Sequence, residues 1–128
     1  MDVEHYRPAG QPDTWSRQFS QAVRAGGLVF VSGQPGWDAN MEIRDSYEDE
    51  CRQVFENIGA VLAEAGCELA DIVEGTSLHT PGADIATFWQ IRNEYLSEPW
   101  PAWTMIANIG LGLANMRLEV KVTAAVPD

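Results

Sequence analysis

The chain has 128 residues, 45% of them hydrophobic, and a formal net charge of −11. That length predicts one domain with a real core, and the apolar content argues against disorder. The negative charge repels polyanions at long range, and the eight Lys and Arg residues form no basic stripe, so nucleic acid is not expected as a partner.

No apolar run approaches the ~20 residues that span a bilayer, and the start Met1-Asp-Val-Glu-His5 lacks the basic and apolar regions of a signal peptide. A cytoplasmic protein with no membrane partner is expected. Cys51 and Cys67 have no metal-ligand spacing and read as free thiols, while His5 and His79 stand alone; no metal is expected.

Met1–Thr14, polar and broken by proline and glycine, reads as an N-terminal arm before a single domain over 15–128. A first strand is expected within Trp15–Arg24, with Phe19 and Gln21 on one face. Gly26-Gly27 is a tight-turn signal, and the apolar run Leu28–Val31, ended by Ser32-Gly33-Gln34, reads as a strand covered on both faces. Gln34–Asp45 is a loop with Trp37-Asp38-Ala39-Asn40 at its tip.

A helix is predicted over Tyr47–Ala65. Ser46 and Asp49 resemble a capping box, and Cys51, Val54, Phe55, Ile58, Val61, Leu62 and Ala65 form one apolar stripe. Gly66 is its stop. Ile72–Leu78 is a strand and Asp84–Leu96 a second helix, whose apolar arc of roughly 160° has Arg92 in its middle. Arg92 reads as a packed stem with its head in solvent or on a carboxylate.

Pro99-Trp-Pro101 ends that helix. Ala102–Asn108 and Met116–Ala124 are the last strands. Gly110 and Gly112 have a phosphate-loop spacing, but no helix opens after them, and a nucleotide site is rejected. The order predicts an α+β domain with two helices on one face of a mostly antiparallel sheet. The other face is expected to carry Trp103, Met105 and Thr123, an apolar patch that favours self-association.

Several of these segments together resemble one family. Ser20-Gln-Ala-Val-Arg-Ala-Gly-Gly-Leu-Val-Phe-Val-Ser-Gly-Gln34, Gln53-Val-Phe-Glu-Asn-Ile58, Val61-Leu-Ala-Glu-Ala-Gly66, Asp71-Ile-Val73, Pro101-Ala102 and Leu118-Glu-Val120 are similar, in order, to the Rid (reactive intermediate deaminase, YjgF/YER057c/UK114) family, also labelled endoribonuclease L-PSP. The resemblance implies a chorismate-mutase-like fold and a homotrimer around a central barrel, with a small-molecule cleft between subunits. It also implies cofactor-free hydrolysis of enamines and imines to ammonia and a keto acid. The ribonuclease label conflicts with the charge.

The resemblance also locates differences. Where deaminase members carry a carboxylate-binding arginine after Pro-Ala, this chain has Trp103, which lacks the planar charged fork. Losing that clamp costs on the order of 1.5–3 kcal/mol per hydrogen bond. Trp89 stands for an asparagine and Phe19 for a tyrosine, while Glu119 matches the family's glutamate. Glu119 is thus the catalytic candidate, a general base if burial raises its pKa or else a structural acid. Phe19, Trp89 and Trp103, with Ser32, Gly33 and Met105 at the floor, are the candidates for an apolar substrate-binding cleft. Two functions remain open: an imine or enamine hydrolase with an altered cleft, and a non-catalytic trimer binding an apolar metabolite or protein, its cleft plugged by the tryptophans.

Overall fold

A computed structural model describes residues 2–128; residue 1, the first of the expected arm, lies outside the described residues. Two helices pack on a six-stranded sheet of order β1-β2-β3-β6-β4-β5. The strands are β1 (Val3–Tyr6), β2 (Ala22–Ala25), β3 (Leu28–Pro35), β4 (Ile72–His79), β5 (Ala102–Ile106) and β6 (Leu118–Ala125). All neighbours are antiparallel except β4 and β5, which are joined through a helix and run parallel.

The helices follow the stripes and caps. Helix α1 (Tyr47–Glu64) starts where the Ser46 side chain accepts from the Asp49 N–H, with Glu48, Asp49 and Glu50 in its first turn. Gly66 follows with φ +77°, a conformation that glycine adopts without a Cβ clash. Helix α2 (Ile85–Tyr95) is capped by Asp84 and meets α1 where Phe55 stacks on Phe88 and Tyr95. Val54, Phe55, Ile58, Val61 and Leu62 are fully buried against Val29, Leu118, Val120 and Val122 of the sheet.

The N-terminal part departs from expectation in two ways. Val3–Tyr6, within the segment expected as an ordered arm or loose tail, is an edge strand pairing Val3 with Ala25 and Tyr6 with Ala22. Trp15–Arg17 is a short 3-10 turn, so the second strand begins only at Ala22. Asp13 causes the turn: its carboxylate accepts from the Ser16 N–H at 3.2 Å, and Gln18 then takes a left-handed φ of 71°.

Strand β3 is covered on one face only: Val29 and Val31 are buried while Phe30 is 47% exposed. The open face also carries Leu28, Ile106 and Thr123, as expected for the last. Trp103 and Met105 lie on the opposite, helix-covered face. Trp103 pairs with Gly75 and Met105 with Ser77, which in turn oppose Val122 and Val120 of the core-facing row. Their face is set by the parallel register with β4.

Candidate active site at Glu119

Strand β6 alternates cleanly, with Leu118 and Val120 in the core and Glu119 on the open face between them. Opposite it, β3 has an irregularity between Val31 and Gln34 that brings Pro35 across from Glu119. Gly33 sits at this irregularity, and a Cβ there would overlap the Glu119 carboxylate. Glycine is therefore what lets the acid lie down against the strand.

The carboxylate opens into a cavity of about 290 Å³ that Phe19, Ser32 and Gly33 also line. Apolar walls come from Trp37, Met41, Leu113 and Met116, and Arg17, Thr14 and Gln21 add polar groups. Burial raises the Glu119 pKa above the ordinary glutamate range.

An amide chain fixes the floor. Gln34 Nε2 donates to Gln21 Oε1 at 2.8 Å and to the Ser32 carbonyl at 3.1 Å, and Gln21 Nε2 donates to the Pro12 carbonyl at 3.1 Å. The Ser32 hydroxyl donates to the Ser20 carbonyl at 2.7 Å, leaving its oxygen as an acceptor toward the cavity. Asn57 of α1 donates to the carbonyls of Pro35 and Trp37 at 3.1 and 2.9 Å, which ties the Trp37 wall to the core. Trp37, expected at a loop tip, is buried, at 8% exposed.

Trp89, Trp103 and Met105 are not at this cavity within one chain. They lie across the sheet, where the Trp103 Nε1–H donates to Ser77 Oγ at 3.0 Å and the Trp89 and Trp103 rings meet edge to face at 6.2 Å. The Trp103 ring packs directly over Gly75, where any Cβ would collide with it. Arg92 is 2% exposed and its guanidinium carbon lies 4.2 Å from the Trp89 ring and 4.4 Å from that of Trp103, with Trp100 at 5.5 Å. Its side-chain partner is Asn93 at 2.7 Å, and its Nε is buried without one. The expected solvent-reaching or carboxylate-paired head is replaced by a cation boxed in by indoles.

A larger depression of about 670 Å³ lies between the 43–45 and 109–117 segments. Its most prominent charge, Arg117, is engaged by the buried Glu50 carboxylate and by the carbonyls of Arg44 and Asp45 at 3.1 and 2.9 Å. That arrangement locks β6 to α1, so the smaller cavity, with its desolvated acid, is the better chemical site. Among the described residues, no three His, Cys, Asp or Glu side chains cluster as metal ligands. Both cysteines are free and buried, and among the described residues no helix is long and apolar enough to cross a membrane.

Of the residues expected at the site, Phe19, Ser32, Gly33 and Glu119 line this one cavity; Arg17, Trp37, Met41, Leu113 and Met116 line it as well and were not singled out by the sequence. The two-helix sheet with a desolvated glutamate beside a strand bulge defines a class of small α+β domain. The chain belongs to the Rid (YjgF/L-PSP) family: the family described as Endoribonuclease L-PSP matches residues 11–126. It is 36% identical to the RutC family protein YjgH of Escherichia coli K12 over 94% of this chain and 93% of that protein. It is 30% identical to human 2-iminobutanoate/2-iminopropanoate deaminase over 83% of this chain and 78% of that protein. A solved structure of protein YjgH superimposes with TM-score 0.88 at 33% identity, covering 100% of this chain and 99% of that one. RidA from the Antarctic bacterium Psychrobacter sp. PAMC 21119 does so with TM-score 0.87 at 30% identity, covering 96% and 99%.

Proposed function

We propose that this protein is a Rid-type hydrolase that converts a reactive imine or enamine to a carbonyl compound and ammonia at the Glu119 cavity. The observation that carries the reading is a desolvated carboxylate held against Gly33 in a small, mostly apolar cavity. The deaminase named among its relatives supports the reaction class. An enamine enters as its imine tautomer. Water adds to the imine carbon as Glu119 takes one of its protons and passes it to the nitrogen. In the resulting carbinolamine Glu119 takes the hydroxyl proton and passes it to the amine nitrogen as the C–N bond breaks, leaving the carbonyl and ammonia. A raised pKa suits both halves of that exchange. No cofactor enters these steps.

The proposal includes a homotrimer. The open sheet face leaves Phe30 and Ile106 47% and 42% exposed, and closing three such faces on one another removes them from water. Each copy in such a ring carries Trp103, and no arginine, at that position of its edge strand β5. Sedimentation showing a stable species of about 14 kDa at micromolar concentration contradicts this assembly.

A second reading is favoured by one observation. Trp89 and Trp103 are held rigidly around Arg92, and such a closed aromatic wall suits a non-catalytic trimer that binds an apolar metabolite or a protein. Ammonia release decides between them. With 2-iminobutanoate and 2-iminopropanoate generated in place by an amino-acid oxidase, the hydrolase reading predicts acceleration over the uncatalysed reaction. Absence of acceleration with both leaves the binding reading.

A further inference from the structure

We infer that Arg17 is the anion-binding residue of the Glu119 cavity, and that the ligand it selects is a small carboxylate with an apolar substituent. The inference deepens the hydrolase reading of this same cavity and rests on it. Arg17 lines the cavity together with Glu119 and Ser32. Among the described residues its guanidinium has neither a hydrogen-bond nor an ion-pair partner, so its planar fork of five donors is unsatisfied by the protein.

The backbone beneath it is fixed. Ser16 is held to Asp13 by its N–H and its hydroxyl, the Arg17 and Gln18 amides bond to Thr14 and Trp15, and Phe19 N–H returns to the Thr14 carbonyl at 3.1 Å. The backbone is held while the head is exposed to solvent at the edge of the cavity, free to meet an acceptor that enters it.

Among the described residues, the other arginines do not line this cavity; Arg44, whose side chain also has no partner, lines the larger depression instead. Arg52 and Arg117 pair with Glu94 and Glu50. Arg7 stacks on Trp15 at 4.7 Å, and Arg24 donates to the Gly26 carbonyl at the hairpin end of the sheet. Arg92 is enclosed by tryptophans on the opposite face. Arg17 and Glu119 share the cavity without forming an ion pair, and desolvation is the one cause that shifts the Glu119 carboxyl. The cavity therefore has a cation at one part of its wall and a water-handling acid at another, with Phe19, Trp37, Met41, Leu113 and Met116 between and around them. A carboxylate on Arg17 with a short apolar group against those walls fits within the cavity of about 290 Å³, a volume at the small end of ligand sites.

The test is an equilibrium titration followed by amide NMR, with 2-oxobutanoate and its methyl ester as probes, so that no turnover is needed. The unmodified protein is expected to bind the acid about tenfold or more tightly than the ester, the scale of one charge-assisted contact. Arg17→Met should remove that preference while leaving ester affinity within about twofold. Arg17→Lys should restore part of it, and Arg24→Met should leave it intact. The amide spectrum itself reports whether each variant is folded. A preference that survives in Arg17→Met overturns the inference, as does no preference in the unmodified protein, including failure of both probes to bind. An Arg17-dependent preference in a protein that hydrolyses no imine leaves the anion site standing and removes the hydrolase reading; imine hydrolysis without that preference does the reverse.

Discussion

The Glu119 carboxylate rests against the backbone of Gly33 so closely that no side chain fits between them. Gly33 has no left-handed φ to accommodate, so the requirement for glycine is steric. The acid's direction into the cavity is thus set by the absence of one methyl group on the facing strand.

Gly33→Ala tests that relationship. The methyl group displaces the flexible end of Glu119 and costs little stability, because the side chain swings aside with the backbone unchanged. Imine hydrolysis should fall by about tenfold or more, the scale of a displaced general base, while the melting temperature moves by only a few degrees. Full activity in a folded Gly33→Ala protein contradicts the positioning role.

Glu119 also has a stability signature. Its folded-state pKa is raised by burial, so ionisation at neutral pH opposes folding. Glu119→Gln should therefore raise the denaturation midpoint at pH 7 to 8. That gain should shrink as the pH falls toward and below the unfolded glutamate value of about 4.5, where both states are neutral. Urea denaturation at pH 4 and pH 7.5 checks it; an equal effect at both pH values shows that the carboxylate is not desolvated.

His79 gives the opposite sign. It is fully buried, both ring nitrogens lack a partner, and its ring meets that of Phe88 edge on at 4.7 Å. Burial lowers its pKa below the usual histidine value, so the fold holds it neutral. Stability attributable to it is complete above the unfolded value of about 6.5 and declines below, by up to about 1.4 kcal/mol per pH unit. His79→Leu should flatten that part of the profile between pH 5 and 7.5. An unchanged slope assigns the acid sensitivity to other groups.

An arginine at position 103 should be poorly tolerated in this chain for a physical reason. Trp103→Arg removes the hydrogen bond to Ser77 and places a second guanidinium beside Arg92, whose guanidinium carbon is 4.4 Å from the present ring. Two like charges that close cost on the order of 2–4 kcal/mol when partly desolvated. Trp103→Arg should be destabilised by that order in urea, and adding Arg92→Met should recover much of it. A Trp103→Arg protein as stable as its parent contradicts the packing described for this cluster.

The legible parts of the sequence were those where one local rule suffices. Ser46, the acidic first turn and an uninterrupted stripe define α1, and Gly26 with φ +62° makes the hairpin. The strand expected within Trp15–Arg24 begins only at Ala22, because the Asp13 carboxylate folds the stretch before it into a turn, an interaction that strand alternation does not encode. The edge strand Val3–Tyr6 has no apolar alternation and exists through its pairing with β2.

Site residues divided along similar lines. Glu119, Gly33 and Ser32 lie on neighbouring strands, and the family resemblance pointed to them. Arg17, Met41 and Leu113 reach the cavity from three separate loops, a convergence that no spacing in the chain encodes. The face of Trp103 depends on pairing with Gly75, and the burial of Arg92 depends on three tryptophans that flank it in space.

The measurement that bears most directly on the central claim is the rate of ammonia release from 2-iminobutanoate by the unmodified protein and by Glu119→Gln, with both shown to be folded and equally assembled. The account predicts clear catalysis by the first and a loss of about 10²-fold or more in the second, the scale of removing a general acid–base group. Equal rates in the two proteins would contradict it, because the desolvated carboxylate beside Gly33 would then have no part in the chemistry.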